Sequence, residues 1–192
     1  MLRLHCATGN PGKLAEFREA APAGLEIVAA GPLDCPETGA TYRDNAVQKA
    51  LCYARRLGEL VFADDSGLEV EALEGAPGIH SARFAGPGAT DEANRCLLLE
   101  RLRGRVQPRA RFVCAIALAR PGEVLAAFDG AAEGEILEAP RGSSGFGYDP
   151  LFYFPRLGRT FAELSPREKF AHSHRGQAFR ALLAWLQAHP TP

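Results

Sequence analysis

The chain has 192 residues, 46% of them hydrophobic and 23% charged, with a formal net charge of −1 at pH 7. Such a length and composition suit a globular chain with a real buried core, and exclude a disordered chain or a small fold that depends on staples. The near-neutral balance argues against broad electrostatic binding of nucleic acid, which needs a basic surface, and leaves room for a small anionic ligand in a local basic pocket.

The five cysteines, Cys6, Cys35, Cys52, Cys96 and Cys114, contain no C-x-x-C pair. Neither a disulfide framework nor a zinc site is expected, and Cys6, Cys52, Cys96 and Cys114 read as buried thiols in a reducing compartment. No secretory apolar region follows Met1, and the longest apolar run, residues 112–119, is too short to span a bilayer. The expectation is a soluble, cytoplasmic protein with no membrane contact. Lysine occurs only at Lys13, Lys49 and Lys169, although Lys and Arg together number 22. Where Arg is the default cation, a retained Lys marks a place that needs a compact ammonium.

Residues 2–7 alternate as a strand, and the turn Thr8-Gly9-Asn10-Pro11-Gly12 leads into a helix from Lys13 to Ala20. A short strand covers 25–28, and the Pro- and Gly-rich stretch 31–39 reads as loop. Thr41 caps a helix that runs to Leu57 and stops at Gly58. Residues 60–63 form a buried strand ending at Asp64-Asp65-Ser66-Gly67, with a second strand over 68–72. Thr90 opens a helix to about Arg103. Residues 109–119 form a long strand, Arg120-Pro121-Gly122-Glu123 a type II turn, and 124–128 the return strand. A glycine-rich loop spans 142–150, and an amphipathic helix with Ala178, Leu182, Trp185 and Leu186 on one face ends the chain. The order predicts an α/β fold with α+β character: an elongated, mixed, twisted sheet with flanking helices, forming one domain over 1–192 with two lobes around a central substrate groove.

Five constellations carry chemistry. Thr8, Gly9, Asn10, Pro11, Gly12 and Lys13 place backbone N–H groups and a lysine at a helix start, which suits phosphate, although the spacing is not that of a P-loop. Glu37 lies in the loop before a helix that carries Asn45 and Lys49 at i, i+4, hence on one face. Asp64 and Asp65 end an apolar strand, where adjacent carboxylates need a cation or a proton. Magnesium with substrate phosphates is one such cation, and an Asx turn is the plainer alternative. Ser144 to Pro150 combines small residues with two aromatics, Phe146 and Tyr148, fit to stack on a base. Lys169, His174 and Arg175 supply donors to a phosphate or a base carbonyl. Glu163 and Glu168 read as surface charges.

The segments ATGNPGK, ETG-x-TY-x-x-NA-x-x-KA, ADDSGLEV, GAPGIHSARFAG, RGSSGFGYDP and SHRGQA stand in this order over nearly the whole chain. Together they resemble the inosine triphosphate pyrophosphatase family. Asp44 stands where that family usually has Glu, and Tyr42 where Phe is common. The resemblance implies Mg²⁺-dependent hydrolysis of ITP, dITP or XTP to the monophosphate and pyrophosphate by a homodimer. It implies that Thr8 to Lys13 and Lys49 hold the triphosphate, and that Glu37 and Asp65 position Mg²⁺, with Asp65 the general base. By the same resemblance Ser66 contacts substrate, Phe146, Gly147, Tyr148 and Asp149 enclose base and ribose, and Lys169, His174 and Arg175 complete purine recognition. The alternatives are a related-fold pyrophosphatase for other modified nucleotides and a non-catalytic nucleotide-binding module.

Overall fold

Strand β1 (Leu2–Ala7) gives way to helix α1 (Pro11–Ala20) at Asn10, whose side chain caps the helix by accepting the Lys13 N–H. Pro11 in the first turn costs nothing there, since its missing N–H would have had no partner in the helix. Strand β2 (Leu25–Ala29) pairs parallel to β1, with Leu4 opposite Ile27. Thr41 caps α2 (Tyr42–Leu57), and Gly58, at φ 72°, ends it in the left-handed region that glycine adopts without steric cost. The computed structural model describes residues 1–190.

Two of the expected strands take other bounds. The expected strands 60–63 and 68–72 are one, because β3 (Val61–Val70) runs unbroken through Asp64-Asp65-Ser66-Gly67 and pairs parallel with β1, while Glu71–Leu73 form a short 3-10 helix. An acidic pair reads as a strand end until its cationic partners, far away in sequence, are known. Helix α3 (Asp91–Arg101) starts at Thr90 as expected, and β4 (Arg109–Arg120) follows. Strand β5 (Glu123–Ile136) then runs well past the expected end at Phe128. Gly130 and Gly134 do not break it: a Cβ at Gly130 would collide with the His174 carbonyl, and one at Gly134 with the Tyr153 carbonyl and the Phe152 ring. Here glycine in a strand marks a close approach of neighbours.

Strands β6 (Phe152–Phe154) and β7 (Arg159–Thr160) precede helices α4 (Pro166–His172) and α5 (His174–Ala188). The sequence reading did not anticipate β6, β7 or α4. Glu163 and Glu168, expected as plain surface charges, each close a capping box, with Thr160 and Ser165 respectively.

All seven strands form one mixed sheet in the order β2-β1-β3-β4-β5-β6-β7, with β5–β6 and β6–β7 antiparallel. The α/β class and the mixed sheet are as expected. The chain divides into two compact units, one of 1–65, 114–130 and 174–192, the other of 66–113 and 131–173. In the first, Phe17 of α1, Phe62 of β3 and Phe179 of α5 meet with ring centroids 5.0–5.9 Å apart. In the second, Leu68, Leu98, Phe112, Phe152 and Phe161 centre a separate core.

The cysteines correct the expectation of uniformly buried thiols. Cys35 and Cys52 form a disulfide, and Cys96 is exposed, while Cys6 and Cys114 are buried as expected. Burial raises the pKa of both buried thiols well above the usual range. No helix among the described residues is long and apolar enough to cross a membrane.

Candidate functional site

The first unit gathers a charged network around β3. Asp64 and Asp65 are consecutive in a strand, so their side chains leave opposite faces. Asp64 is fully buried; its Oδ2 lies 2.8 Å from Lys13 Nζ and 3.7 Å from Arg175 Nε. Lys13 reaches it from the first turn of α1, and Arg175 from the first turn of α5. Arg175 Nη1 also donates to Glu16 Oε2 at 2.5 Å. Asp65 Oδ2 accepts from Asn45 Nδ2 at 3.0 Å, and Asn45 Oδ1 accepts the Gly39 N–H at 2.8 Å. Lys49, one turn on from Asn45 in α2, pairs with Glu37 at 2.9 Å.

Burial alone would raise the Asp64 pKa, but Lys13, Arg175 and Lys49 outweigh it and hold the carboxyl at about 2. Asp65 goes the other way: burial raises its pKa, and the Asn45 hydrogen bond with the charges of Lys13 and Lys49 only partly offsets this. Neighbouring carboxylates are thus driven apart, one fixed as an anion and one made more basic. Burial lowers the Lys49 pKa, but Asp64, Glu37 and Asp65 more than reverse it, so its net shift is upward.

At the mouth of α1, Thr8 Oγ1 accepts the Asn10 N–H at 3.2 Å, and a Cβ added to Gly9 would meet no atom within 4 Å. Gly9, Asn10 and Pro11 are exposed, and Gly12 is half-buried in the first turn. That turn offers N–H groups and the positive end of a helix dipole to an anion.

The second unit holds a smaller cluster in the 142–150 loop. Asp149 and Lys169 are both buried, with Oδ2 and Nζ 2.5 Å apart. The same Asp149 oxygen accepts the Phe146 N–H at 2.9 Å, and a Cβ on Gly145 would collide with it. Lys169 Nζ stands 4.6 Å from the Phe146 ring centroid, a cation–π distance. Tyr148 turns into the core, its hydroxyl donating to the Ser81 carbonyl at 2.9 Å, so of the two aromatics Phe146 alone keeps a partly exposed ring. Ser66, half-buried on β3, is the first residue of this unit.

The structure sorts the expected residues into these two groups. Thr8 to Lys13, Glu37, Lys49, Asp65, His174 and Arg175 fall in the first unit, and Ser66, Phe146 to Asp149 and Lys169 in the second. Lys169 belongs to the second unit, while His174 and Arg175, with which the sequence groups it, belong to the first. His174 is buried at the start of α5. All three lysines pair with carboxylates, and their side chains are at most 15% exposed.

Sequence reasoning missed Glu16, although its i, i+3 spacing from Lys13 puts both on one helix face. It also missed Asp91 and Arg95. Gly147 N–H donates to Asp91 Oδ2 and Arg95 Nη1 donates to the Gly147 carbonyl, each at 2.7 Å, so α3 grips that glycine from both sides. Nothing in the local sequence ties α3 to a loop some fifty positions later.

Known proteins resemble the chain throughout its length. It is 50% identical over 190 residues to a protein of Exiguobacterium sp. named dITP/XTP pyrophosphatase, covering 95% of this chain and 96% of that one. A Thermus thermophilus protein of the same name is 49% identical over 197 residues, covering 100% of this chain and 95% of its own. Among solved structures, a HAM1 protein from Coxiella burnetii superposes with a TM-score of 0.87 at 42% identity, covering 98% of this chain and 100% of that one. The Staphylococcus aureus Ham1 protein gives 0.86 at 41% identity, with coverage of 98% and 100%. The model of the Ham1 family matches residues 4–185. This chain, like the relatives its motifs resemble, belongs to the Ham1 family.

Proposed function

We propose that this chain hydrolyses non-standard purine nucleoside triphosphates, dITP, XTP and ITP, to the monophosphate and pyrophosphate, and so cleanses the nucleotide pool of the cytoplasm. The observation that carries the reading is the pairing of an anion-binding helix start with a buried carboxylate network. Lys13 of α1 and Lys49 of α2 both act electrostatically on Asp64 and Asp65. Relatives about half identical over the full length and named dITP/XTP pyrophosphatase support the substrate class.

In this reading the whole chain acts as one catalytic domain. The α1 start, from Thr8 to Lys13, and Lys49 take the triphosphate. Asp65 accepts the proton of the water that attacks the α-phosphorus, and its raised pKa makes it a better base than an ordinary carboxylate. Asp64 keeps the Lys13 ammonium in place, and Lys13, Lys49 and the helix start neutralise the pyrophosphate as it leaves.

Four carboxylates, Glu16, Glu37, Asp64 and Asp65, face three cations in this network, Lys13, Lys49 and Arg175. Such an excess of hard oxygen donors fits Mg²⁺. Among the described residues no three His, Cys, Asp or Glu side chains form a ready-made cage, and magnesium needs none, since one or two carboxylates and substrate phosphates suffice. Glu37 and Asp65 would hold it, and the ion would supply charge neutralisation on the transferring group.

For the base, the Phe146 ring would stack, Ser66 and Gly147 would contact the sugar, Tyr148 supports the loop, and Lys169, paired with Asp149, would donate to the C6 oxygen. Adenine offers an amino group there, and a buried donor left unmatched costs about 1–3 kcal/mol, more when charged. Arg175 and His174 stand with the first unit. Any hydrogen bond from Arg175 to a base competes with Glu16 and Asp64. The homodimer is part of the proposal, and sedimentation velocity tests it.

The deciding experiment is pyrophosphate release from dITP, XTP, ITP, GTP, ATP and dTTP, with Mg²⁺ and with EDTA. Metal-dependent release favouring the first three by about 10²-fold or more is expected. Activity confined to other nucleotides discards the base assignment, and binding without release leaves a nucleotide-binding module.

A further inference from the structure

The loop between β2 and α2 has no secondary structure, yet it is fastened to one face of α2 along its whole length. Five successive fastenings run in opposite directions along loop and helix. The Leu33 N–H donates to Tyr53 Oη at 3.0 Å, and Cys35 is bonded to Cys52. Glu37 accepts from Lys49 at 2.9 Å, Thr38 N–H donates to Gln48 Oε1 at 3.0 Å, and Gly39 N–H donates to Asn45 Oδ1 at 2.8 Å. Residues 45, 48, 49, 52 and 53 are the i, i+3, i+4, i+7, i+8 stripe of a single helix face. Four of the five fastenings are hydrogen bonds or an ion pair, each in competition with water. The disulfide is the covalent one.

We propose that Cys35–Cys52 is a thiol–disulfide exchange site, opened by a dithiol reductant, whose reduction loosens the loop carrying Glu37. Both cysteines are half-buried, so a small thiolate can reach a sulfur without unfolding of the helix. Cys6 and Cys114 are buried, with their pKa values raised by burial, and do not compete as nucleophiles. The thiolate of the dithiol attacks one cysteine sulfur, the S–S bond breaks, and the other cysteine leaves as a thiolate. The second thiol of the reductant attacks the resulting mixed disulfide and releases the first cysteine. Two electrons and two protons pass to the protein, and the reductant ends as a disulfide.

The consequence for activity rests on the proposed function, in which Glu37 and Asp65 hold the metal. Asn45 joins the two, because its Oδ1 receives the loop at Gly39 while its Nδ2 holds Asp65. Opening the loop therefore disturbs both carboxylates at once. The oxidised protein is the latched form, with its metal-side carboxylates in register.

The test uses the full chain, oxidised in a disulfide buffer or reduced with dithiothreitol. Alkylation under denaturing conditions followed by intact mass should count three thiols in the oxidised form and five in the reduced form. Amide hydrogen exchange over residues 31–40 should speed up by about tenfold on reduction, the rest of α2 staying protected. The Mg²⁺ concentration giving half-maximal pyrophosphate release should rise about fivefold or more with little change at saturating metal, as expected when a binding-competent form becomes less populated. The double variant Cys35→Ser, Cys52→Ser should behave as the reduced protein and ignore dithiothreitol. Five alkylatable thiols after oxidation, or equal exchange over 31–40 in both forms, would overturn the proposal. Faster loop exchange on reduction, in a protein that cleaves no triphosphate, would keep the exchange site and reject the catalytic reading instead.

Discussion

Two lysine–carboxylate pairs, Lys13–Asp64 and Lys169–Asp149, lie one in each unit of the molecule, at 2.8 and 2.5 Å; Asp64, Asp149 and Lys169 are buried and Lys13 is half-buried. Their surroundings differ. Asp64 feels Lys13, Arg175 and Lys49 together, and Glu16 in turn shares Arg175. Asp149 meets Lys169 and, within its own loop, the Phe146 N–H and the close approach of Gly145. A shared network can accept an added anion or cation by redistributing its partners, which suits phosphate and metal. A pair pinned by its own loop holds one donor in one direction, which suits reading a single base atom. The difference between the clusters is thus one between tolerance of changing charge and fixed geometry.

The sharpest way to break the comparison is at Asp65. Asp65→Asn should lower kcat by about 10³-fold with the fold intact, since a positioned general base contributes about 10²–10⁴. Steady-state kinetics beside circular dichroism decides it, and near-normal kcat removes Asp65 as the base.

Next in size is Asp64→Asn. Removing the anion leaves Lys13 and Arg175 incompletely neutralised, and breaking a buried pair costs about 3 kcal/mol. Because the folded Asp64 pKa lies below its ordinary value, its contribution is complete above the usual carboxylate range. It is lost as pH falls through about 2. Urea unfolding of the metal-free protein should therefore show the wild-type advantage over Asp64→Asn shrinking as pH drops from 5 toward 2. A constant advantage would mean that the carboxylate charge is not what stabilises.

Lys169→Met probes the second cluster. It should reduce the preference for dITP over dATP by about tenfold to a hundredfold, within the 1–3 kcal/mol attached to one buried donor, chiefly through KM. An equal loss for both nucleotides would make Lys169 a structural partner of Asp149 only. Lys13→Arg belongs to the first cluster and should mainly lower kcat, because a planar guanidinium cannot reproduce the ammonium's contact with Asp64 and phosphate. The smallest effect is expected for Ser165→Ala, which removes the cap of α4 and should cost about 1 kcal/mol in thermal unfolding without altering kinetics.

Much of the fold was legible. The βαβ start, the Thr41 and Thr90 caps, the Gly58 stop and the last helix all rest on local rules, and each element stands where those rules put it. Single β3 was not legible, because two adjacent aspartates break an apolar strand pattern unless Lys13 and Asn45 are brought to them. The length of β5 was hidden by Gly130 and Gly134, whose meaning is a neighbour pressing close. Candidate residues were found by motif, but their grouping was not: adjacent motif positions such as Ser173 and His174 fall in different units.

The sequence by itself determined the family, the α/β class, most helix ends and the residue types of the candidate site, because each is written in local order along the chain. Only the tertiary structure decided which carboxylate pairs with which cation, that Glu16 and Arg175 belong with Asp64, that Tyr148 serves the core, and that Cys35 meets Cys52. Those are contacts between segments distant in sequence. Their energies depend on burial and on the charges brought near, and neither exists until the chain has folded.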